Sequence, residues 1–347
     1  MSKPVVDIAS PSPARSADGT GPTAPSSPLL EAALSCLSTA TRTALDNARD
    51  LGLPTDYALE LVLSTLAEDL SWGPDVTTNA TLGTGARGTA AINSRQSGCL
   101  AGVPLAAAAF EVLPIIVDAP NPAQPGGSSG ESTACQVDIE AADGSTVRPG
   151  TTVLTVSGPL HIILTAERTA LNILSQLSGV ATATDAWVKA LRGTSARVRD
   201  TRKTQPGLRI AQKYAVRCGG GVNHRMGLGD AALIKDNHVA AVGSIGAAVR
   251  AVREKAPHIP IEVECDTLEQ VREAVTAGVP LILLDNMSPE TARAAVDVAR
   301  RGGVRTEASG GLSIEDAAEF AATGVDYIAV GALTHSPTVL DLGLDLA

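Results

Sequence analysis

Charged residues in this sequence gather where short apolar runs end. Arg197-Val-Arg-Asp-Thr-Arg-Lys closes on two adjacent cations, Arg202 and Lys203, and Leu233-Ile-Lys sets Lys235 after an apolar run. Gly219-Gly-Gly-Val-Asn-His-Arg brings His224 and Arg225 in behind three glycines. From Arg197 to Arg225 there are eight Lys or Arg against one acid, Asp200, in a chain whose net charge is −10. A guanidinium is a fork that matches a planar carboxylate, whereas an ammonium is a mobile point charge suited to phosphate. Glycine runs let backbone N–H groups approach an anion. The mixture points to one ligand with carboxylates and another with phosphates. A basic run by itself is commonly a solvated helix face, and a single histidine such as His224 is commonly a structural hydrogen-bonder.

Carboxylates oppose these cations. Glu264 ends the run Ile261-Glu-Val-Glu, and Asp285 ends Leu281-Ile-Leu-Leu. Alternation of period two puts Glu262 and Glu264 on one face of their strand. Such a pair of strand-end carboxylates can hold sugar hydroxyls or share a Mg²⁺ with phosphates, although Asp285 also suits a simple helix cap. Ser309-Gly-Gly and Val330-Gly-Ala end the last two runs, where barrels commonly build a phosphate site. A competing chemistry is an aldolase-type barrel with Lys235 as a Schiff-base lysine, which requires that lysine to be buried.

Positioning these groups requires repeated βα units. Glu264 to Asp285 is 21 residues, Asp285 to Ser309 is 24, and Ser309 to Gly331 is 22, about one strand, one helix and two loops each. Polar residues end many strands and no GxGxxG opens a βα turn, which favours a barrel over an open doubly wound sheet. Ahead of it, Leu29–Leu51 and Tyr57–Leu70 carry helical spacing, with a turn at Trp72-Gly-Pro-Asp. Thr89–Ile92, Gly98–Val103, Val137–Ile139 and Thr152–Val156 read as strands, Pro104–Leu113 and Ala166–Leu177 as helices, and Asn121–Ser132 as an inserted loop. The resulting division is a disordered tail over 1–28, an N-terminal α/β domain over 29–164, a βα barrel over 165–334 and a closing segment over 335–347.

Composition narrows the function. The chain has 347 residues with 44% hydrophobic but only 2% aromatic types, so the core is aliphatic and stacking platforms for single-stranded nucleic acid are not expected. Net acidity argues against a nucleic-acid partner. There is no apolar run of membrane-spanning length and no signal-peptide pattern, and the five scattered cysteines include no CxxC pair. A cytoplasmic protein is expected.

The runs Glu68-Asp-Leu, Asp75-Val-Thr-Thr, Thr165-Ala-Glu-Arg-Thr-Ala-Leu-Asn, Asp200-Thr-Arg-Lys-Thr, Gly219-Gly-Gly-Val-Asn-His-Arg, Leu233-Ile-Lys-Asp-Asn-His and Ala308-Ser-Gly-Gly resemble, in order, the quinolinate phosphoribosyltransferase family. The likeness extends from about Tyr57 to Leu346; Gln205 and the Trp72-Gly-Pro turn depart from it. The resemblance implies an N-terminal α/β sandwich followed by an incomplete βα-barrel-like domain, with the C-terminal segment returning to the sandwich. It implies transfer of ribose 5-phosphate from phosphoribosyl pyrophosphate, accompanied by Mg²⁺, to quinolinate, with release of CO₂ and pyrophosphate.

The residue roles it implies are these. Arg168, Arg202, Lys203, His224, Arg225 and Lys235 would hold quinolinate. Lys203, Lys235, Glu264, Asp285, Ser309, Gly310, Gly311, Gly331 and Ala332 would hold phosphoribosyl pyrophosphate. Lys203, Glu264 and Asp285 would serve catalysis. A homodimer or larger assembly is implied, with Arg168 entering the neighbouring subunit's site. A related transferase for another aromatic acid and a non-catalytic binding barrel remain as alternatives.

Overall fold

The computed structural model describes residues 28–83, 85–117 and 133–347. Most of the tail and the loop Asn121–Ser132 lie outside the described residues. The described residues divide into two compact units, one holding those from Pro28 to Thr182 with Ile210–Gly219 and Pro337–Ala347, the other Ala183–Arg209 and Gly220–Ser336.

In the N-terminal unit, the helical spacing over Leu29–Leu51 becomes two helices, α1 (Pro28–Cys36) and α2 (Thr39–Asp50). Ser38 makes the break. Its extended backbone ends the run, its hydroxyl accepts the Thr41 N–H at 3.2 Å, and its own N–H donates to Glu111 Oε2 at 3.1 Å. Helix α3 (Thr55–Leu70) leads through the Trp72 turn to α4 (Val76–Thr81), capped by the Asp75 carboxylate. Strands β1 (Arg87–Ser94) and β2 (Gly98–Cys99), helix α5 (Val103–Val117), and strands β3 (Gln136–Ile139), β4 (Thr146–Val147) and β5 (Thr152–Pro159) follow.

The run Gly98–Val103 is thus strand only at its start. Asp143 accepts the N–H groups of Gly102 and Val103, both at 2.9 Å, and so opens α5 there. Residues Val103–Leu113 of α5 are buried on every side, as expected of a helix that is apolar all round. This helix packs against α1, α2, α3, β3 and β5. The main sheet is antiparallel, in the order β12-β1-β5-β3, and its edge strand β12 (Leu342–Leu346) comes from the far end of the sequence. Helix α6 (Leu160–Ala190) runs on through the division at Thr182/Ala183. The sequence boundary at 164/165 falls near its start, because apolar spacing marks only its middle.

The second unit is built on six parallel strands in the order β6-β11-β10-β9-β8-β7. These are β6 (Arg197–Arg199), β7 (Ala232–Ile234), β8 (Ile261–Cys265), β9 (Leu281–Asp285), β10 (Arg305–Ser309) and β11 (Tyr327–Ala329), and Val222 adds one parallel bridge to Arg199 beyond β6. On a flat sheet Val222 and β8 would lie five strand spacings apart, about 24 Å. Yet His224, two residues past Val222, places Nε2 2.8 Å from Glu262 Oε2 on β8. The sheet therefore curls into a barrel, left incomplete between Val222 and β7, where no pairing occurs among the described residues. Helices α9 (Ile245–Lys255), α10 (Leu268–Thr276) and α11 (Pro289–Arg301) connect successive strands, the short α8 (Asp236–Val242) preceding α9 and α7 (Arg209–Cys218) lying largely with the first unit. No helix among the described residues is long and apolar enough to cross a membrane.

Candidate active site

A cavity of about 490 Å³ opens at the carboxyl ends of the barrel strands. Thr201, Arg202 and Lys203 line it beyond β6, and His224 and Arg225 beyond the Val222 bridge. Leu233 and Lys235 enter from β7, Glu264 from β8, Leu283, Asp285 and Asn286 from β9, Glu307, Ser309, Gly310 and Gly311 from β10, and Ala329 from β11. The structure thus brings together ten of the sequence-identified residues: Arg202, Lys203, His224, Arg225, Lys235, Glu264, Asp285, Ser309, Gly310 and Gly311. Gly331 and Ala332 do not line the cavity. Gly331 packs behind it, where an added Cβ would lie 3.1 Å from Lys203 Cδ, and Thr334 Oγ1 donates to the Lys203 carbonyl at 2.8 Å. Gln205 lies off the cavity as well. Arg168 sits on α6 within the N-terminal unit, its side chain exposed.

Two of the cations are poised for an anion. The Nε atoms of Arg202 and Arg225 are buried with no hydrogen-bond partner among the described residues. Burial holds the Arg225 guanidinium below its usual range, and the nearby Arg202 charge depresses it further. Buried donors without acceptors are costly, and two like charges facing one cavity make an anionic ligand the natural complement. Lys235 is half exposed and pairs with Glu264 at 3.1 Å. It is not the buried lysine that Schiff-base chemistry needs, which removes the aldolase reading. Burial raises the Asp285 carboxyl, aided by Asp266 and opposed by Lys235, Lys203 and a hydrogen bond from Asn286.

His224 plays a different part from that of an exposed cation. The Arg225 N–H donates to His224 Nδ1 at 2.8 Å. An N–H can only donate, so Nδ1 carries a lone pair and the ring proton lies on Nε2, facing Glu262 Oε2. Both ring nitrogens are engaged by protein, and the His224 N–H is held by Asp200 Oδ1 at 2.8 Å. The histidine fixes the backbone from which the Arg225 side chain departs.

Beneath the cavity lies a charged interior that sequence reasoning did not assign. Arg199 pairs with Glu307, both buried, and its guanidinium sits 4.8 Å above the Tyr327 ring. Burial pushes the Glu262 carboxyl up to about 7 despite the attraction of Arg199, Arg225 and Lys235. It raises Glu307 too, against the pull of Arg199. His224, Glu262 and Glu307 offer ligand atoms within 4.8 Å of one another, but the Arg199 guanidinium already supplies the local positive charge. The signal available in the sequence was the alternation that sets Glu262 on the face of Glu264.

The basic window therefore divides. Arg202, Lys203 and Arg225 reach the cavity, and Arg199 is interior. Arg209 braces the loop by donating to Thr204 Oγ1 at 3.1 Å and the Met226 carbonyl at 3.2 Å. Arg217, in the N-terminal unit, donates to the Leu51 carbonyl at 2.8 Å.

A parallel barrel that devotes its strand ends to anion-binding groups belongs with the barrels that take phosphorylated ligands. Sequence models of the quinolinate phosphoribosyl transferase N-terminal and C-terminal domains match residues 75–178 and 180–345, and the chain belongs to that family. It is 50% identical over 294 residues to the nicotinate-nucleotide pyrophosphorylase [carboxylating] of Mycobacterium leprae, covering 84% of this chain and 98% of that one. The Homo sapiens protein of the same name is 41% identical over 217 residues, 61% of this chain and 73% of its own. The solved nicotinate-nucleotide pyrophosphorylase from Francisella tularensis superposes with a TM-score of 0.76 at 36% identity, over 86% of this chain and 99% of that one.

Proposed function

We propose that this protein transfers ribose 5-phosphate from phosphoribosyl pyrophosphate to the ring nitrogen of quinolinate and releases CO₂, giving nicotinate mononucleotide for NAD biosynthesis. The observation that carries this reading is the pair of partnerless buried Nε donors on Arg202 and Arg225 in a cavity that also holds carboxylates and a glycine turn. Quinolinate has two adjacent carboxylates, which match two guanidinium forks. Lys203 and Lys235 balance the phosphates and the departing pyrophosphate. Glu264 and Asp285 bind the ribose hydroxyls and stabilise the positive charge that develops at C1 as the leaving group departs. Backbone N–H groups at Gly310 and Gly311 receive the 5-phosphate. Once ribosylated, the ring nitrogen is cationic and stabilises the electron pair left on the adjacent ring carbon when its carboxylate departs as CO₂; a proton taken up from water then completes the C–H bond at that carbon. No covalent nucleophile is required.

Mg²⁺ fits this donor set. It binds through one or two carboxylates plus substrate phosphates, and Glu264 and Asp285 stand on neighbouring strands, the latter raised by burial and a second acid. When bound, the ion would neutralise pyrophosphate charge. The reading carries with it a cytoplasmic homodimer in which Arg168 completes the partner's quinolinate site.

The decisive assay is release of labelled CO₂ from carboxyl-labelled quinolinate, with and without phosphoribosyl pyrophosphate and Mg²⁺. Turnover of nicotinate in place of quinolinate would assign a different acceptor, and no turnover of either would leave a binding protein.

Two substitutions test the roles. Arg202→Lys keeps the charge but loses the fork, so quinolinate binding should weaken by about 10- to 150-fold, the equivalent of roughly 1.5–3 kcal/mol. Calorimetry with quinolinate alone checks this, and wild-type affinity would remove Arg202 from the carboxylate. Glu264→Gln or Asp285→Asn should lower kcat by roughly 10²–10³-fold while quinolinate affinity stays near wild type. Equal loss of quinolinate affinity would put these carboxylates against the wrong substrate.

A further inference from the structure

Asn286 is the one non-glycine residue among the described residues with a positive φ, at 51°. It follows Asp285 at the end of β9 and lines the cavity. In extended backbone, successive side chains point to opposite faces, so residue 286 would turn away from the face that Asp285 presents. The left-handed turn reverses this and carries the amide back over its neighbour, where Nδ2 donates to Asp285 Oδ2 at 2.6 Å. Two further contacts hold the turn. The Asn286 N–H donates to the Ser309 carbonyl at 2.9 Å, joining the ends of β9 and β10. Gly310 lies so close that an added Cβ would meet Asn286 N at 2.8 Å and Cα at 2.9 Å, as well as Oδ1. The amide is thus confined between the Asp285 carboxylate and the glycine turn.

Glycine would take this backbone conformation with no steric opposition. A side chain retained in a left-handed position beside a ligand cavity is the pattern expected where local strain serves function.

We propose that Asn286 is a positioning residue for the ribosyl donor: its amide pins one oxygen of Asp285, so that the other faces the cavity. The hydrogen bond also sets the carboxylate plane, which otherwise rotates freely about χ2. Asn286 thereby couples the carboxylate subsite on β9 to the Gly310-Gly311 subsite on β10, the two ends of a single phosphorylated sugar. This inference rests on the reading of Asp285 as a ribose-facing group.

The test compares wild type with Asn286→Gly and Asn286→Asp. Calorimetry measures binding of phosphoribosyl pyrophosphate with Mg²⁺ and, separately, of quinolinate alone; CO₂ release gives kcat and each KM. Asn286→Gly keeps the turn and removes the amide. Its Tm should stay close to wild type and its quinolinate affinity should be unchanged, while phosphoribosyl pyrophosphate binds about tenfold more weakly. Asn286→Asp sets a second carboxylate against Asp285 and should be weaker still. Wild-type affinity for phosphoribosyl pyrophosphate in Asn286→Gly would overturn the proposal and leave Asn286 a turn residue; equal loss for both substrates would overturn it in favour of a general support role. Failure of wild type to turn over quinolinate would sink the function instead, and the binding comparison would still decide the role of Asn286.

Discussion

Chains carrying Arg168→Ala, mixed with chains carrying Lys203→Ala, should regain activity in about a quarter of all sites although neither variant works alone. Lys203 lines the barrel cavity. Arg168 lies on α6 in the N-terminal unit, exposed and without an ion pair among the described residues, although its helical neighbour Leu171 is buried. An arginine that served only to pack a domain junction would bury its stem or find a carboxylate. In a two-fold dimer whose subunits exchange this arginine, a mixed dimer has one site lacking both residues and one with both intact. Random assembly makes about half the dimers mixed. If Arg168 served its own chain's site, each site would carry one lesion and nothing would recover. Co-expression with two affinity tags, isolation of mixed dimers and assay of CO₂ release distinguish the cases. Inactive mixed dimers would return Arg168 to a structural role.

Arg199→Met should destabilise the barrel by about 3–5 kcal/mol, the usual result of removing one partner from a buried ion pair. The exposed pairs Arg49–Asp46 and Arg272–Glu269 each contribute about 0–1 kcal/mol, so this interior pair dominates. Replacing both partners, as in Arg199→Met with Glu307→Leu, should recover much of the loss, because the isolated charge disappears. The sign with pH follows from Glu262. Its folded carboxyl is raised from 4.5 to about 7, so the stability tied to its protonated form is full below 4.5 and is lost as pH rises through about 7. Arg199 opposes that rise, so its removal extends the window upward. The deficit of Arg199→Met should therefore be smaller at pH 5 than at pH 8. Urea denaturation at both values checks this, and equal deficits would mean that the interior carboxylates do not depend on Arg199.

The residues legible in the sequence are those whose role follows from local pattern. Glu264, Asp285 and Ser309 close short strands spaced by the length of a βα unit, so the barrel could be read before its walls were seen. Arg199, by contrast, is one of eight cations counted in the basic window and takes no role of its own from the sequence. Its true partner is Glu307, 108 residues away, and the pair exists only once the sheet has curled. Glu307 sits in mid-strand, with nothing local to distinguish it from a solvent-facing acid. Asn286 was passed over for a similar reason, since a sequence does not display the sign of φ. In the N-terminal unit, Asp143 opens α5 from 40 residues downstream, a signal invisible in any short window. Ser38 interrupts Leu29–Leu51 through its extended backbone and its cap on Thr41, neither of which the helical apolar spacing displays.

The placement of β12 bears on the order in which the molecule can be made. β1 pairs on one side with β5 and on the other with β12, and Asn93 donates to Asp345 across 252 residues of sequence. At a translation speed of about 5–20 residues per second, β1 leaves the ribosome roughly 10–50 s before its outer partner exists. Throughout that interval one row of its amides and carbonyls is an open template for any other nascent chain. The unit synthesised first is therefore completed after the barrel, and its exposed edge is where a chaperone would have most to protect.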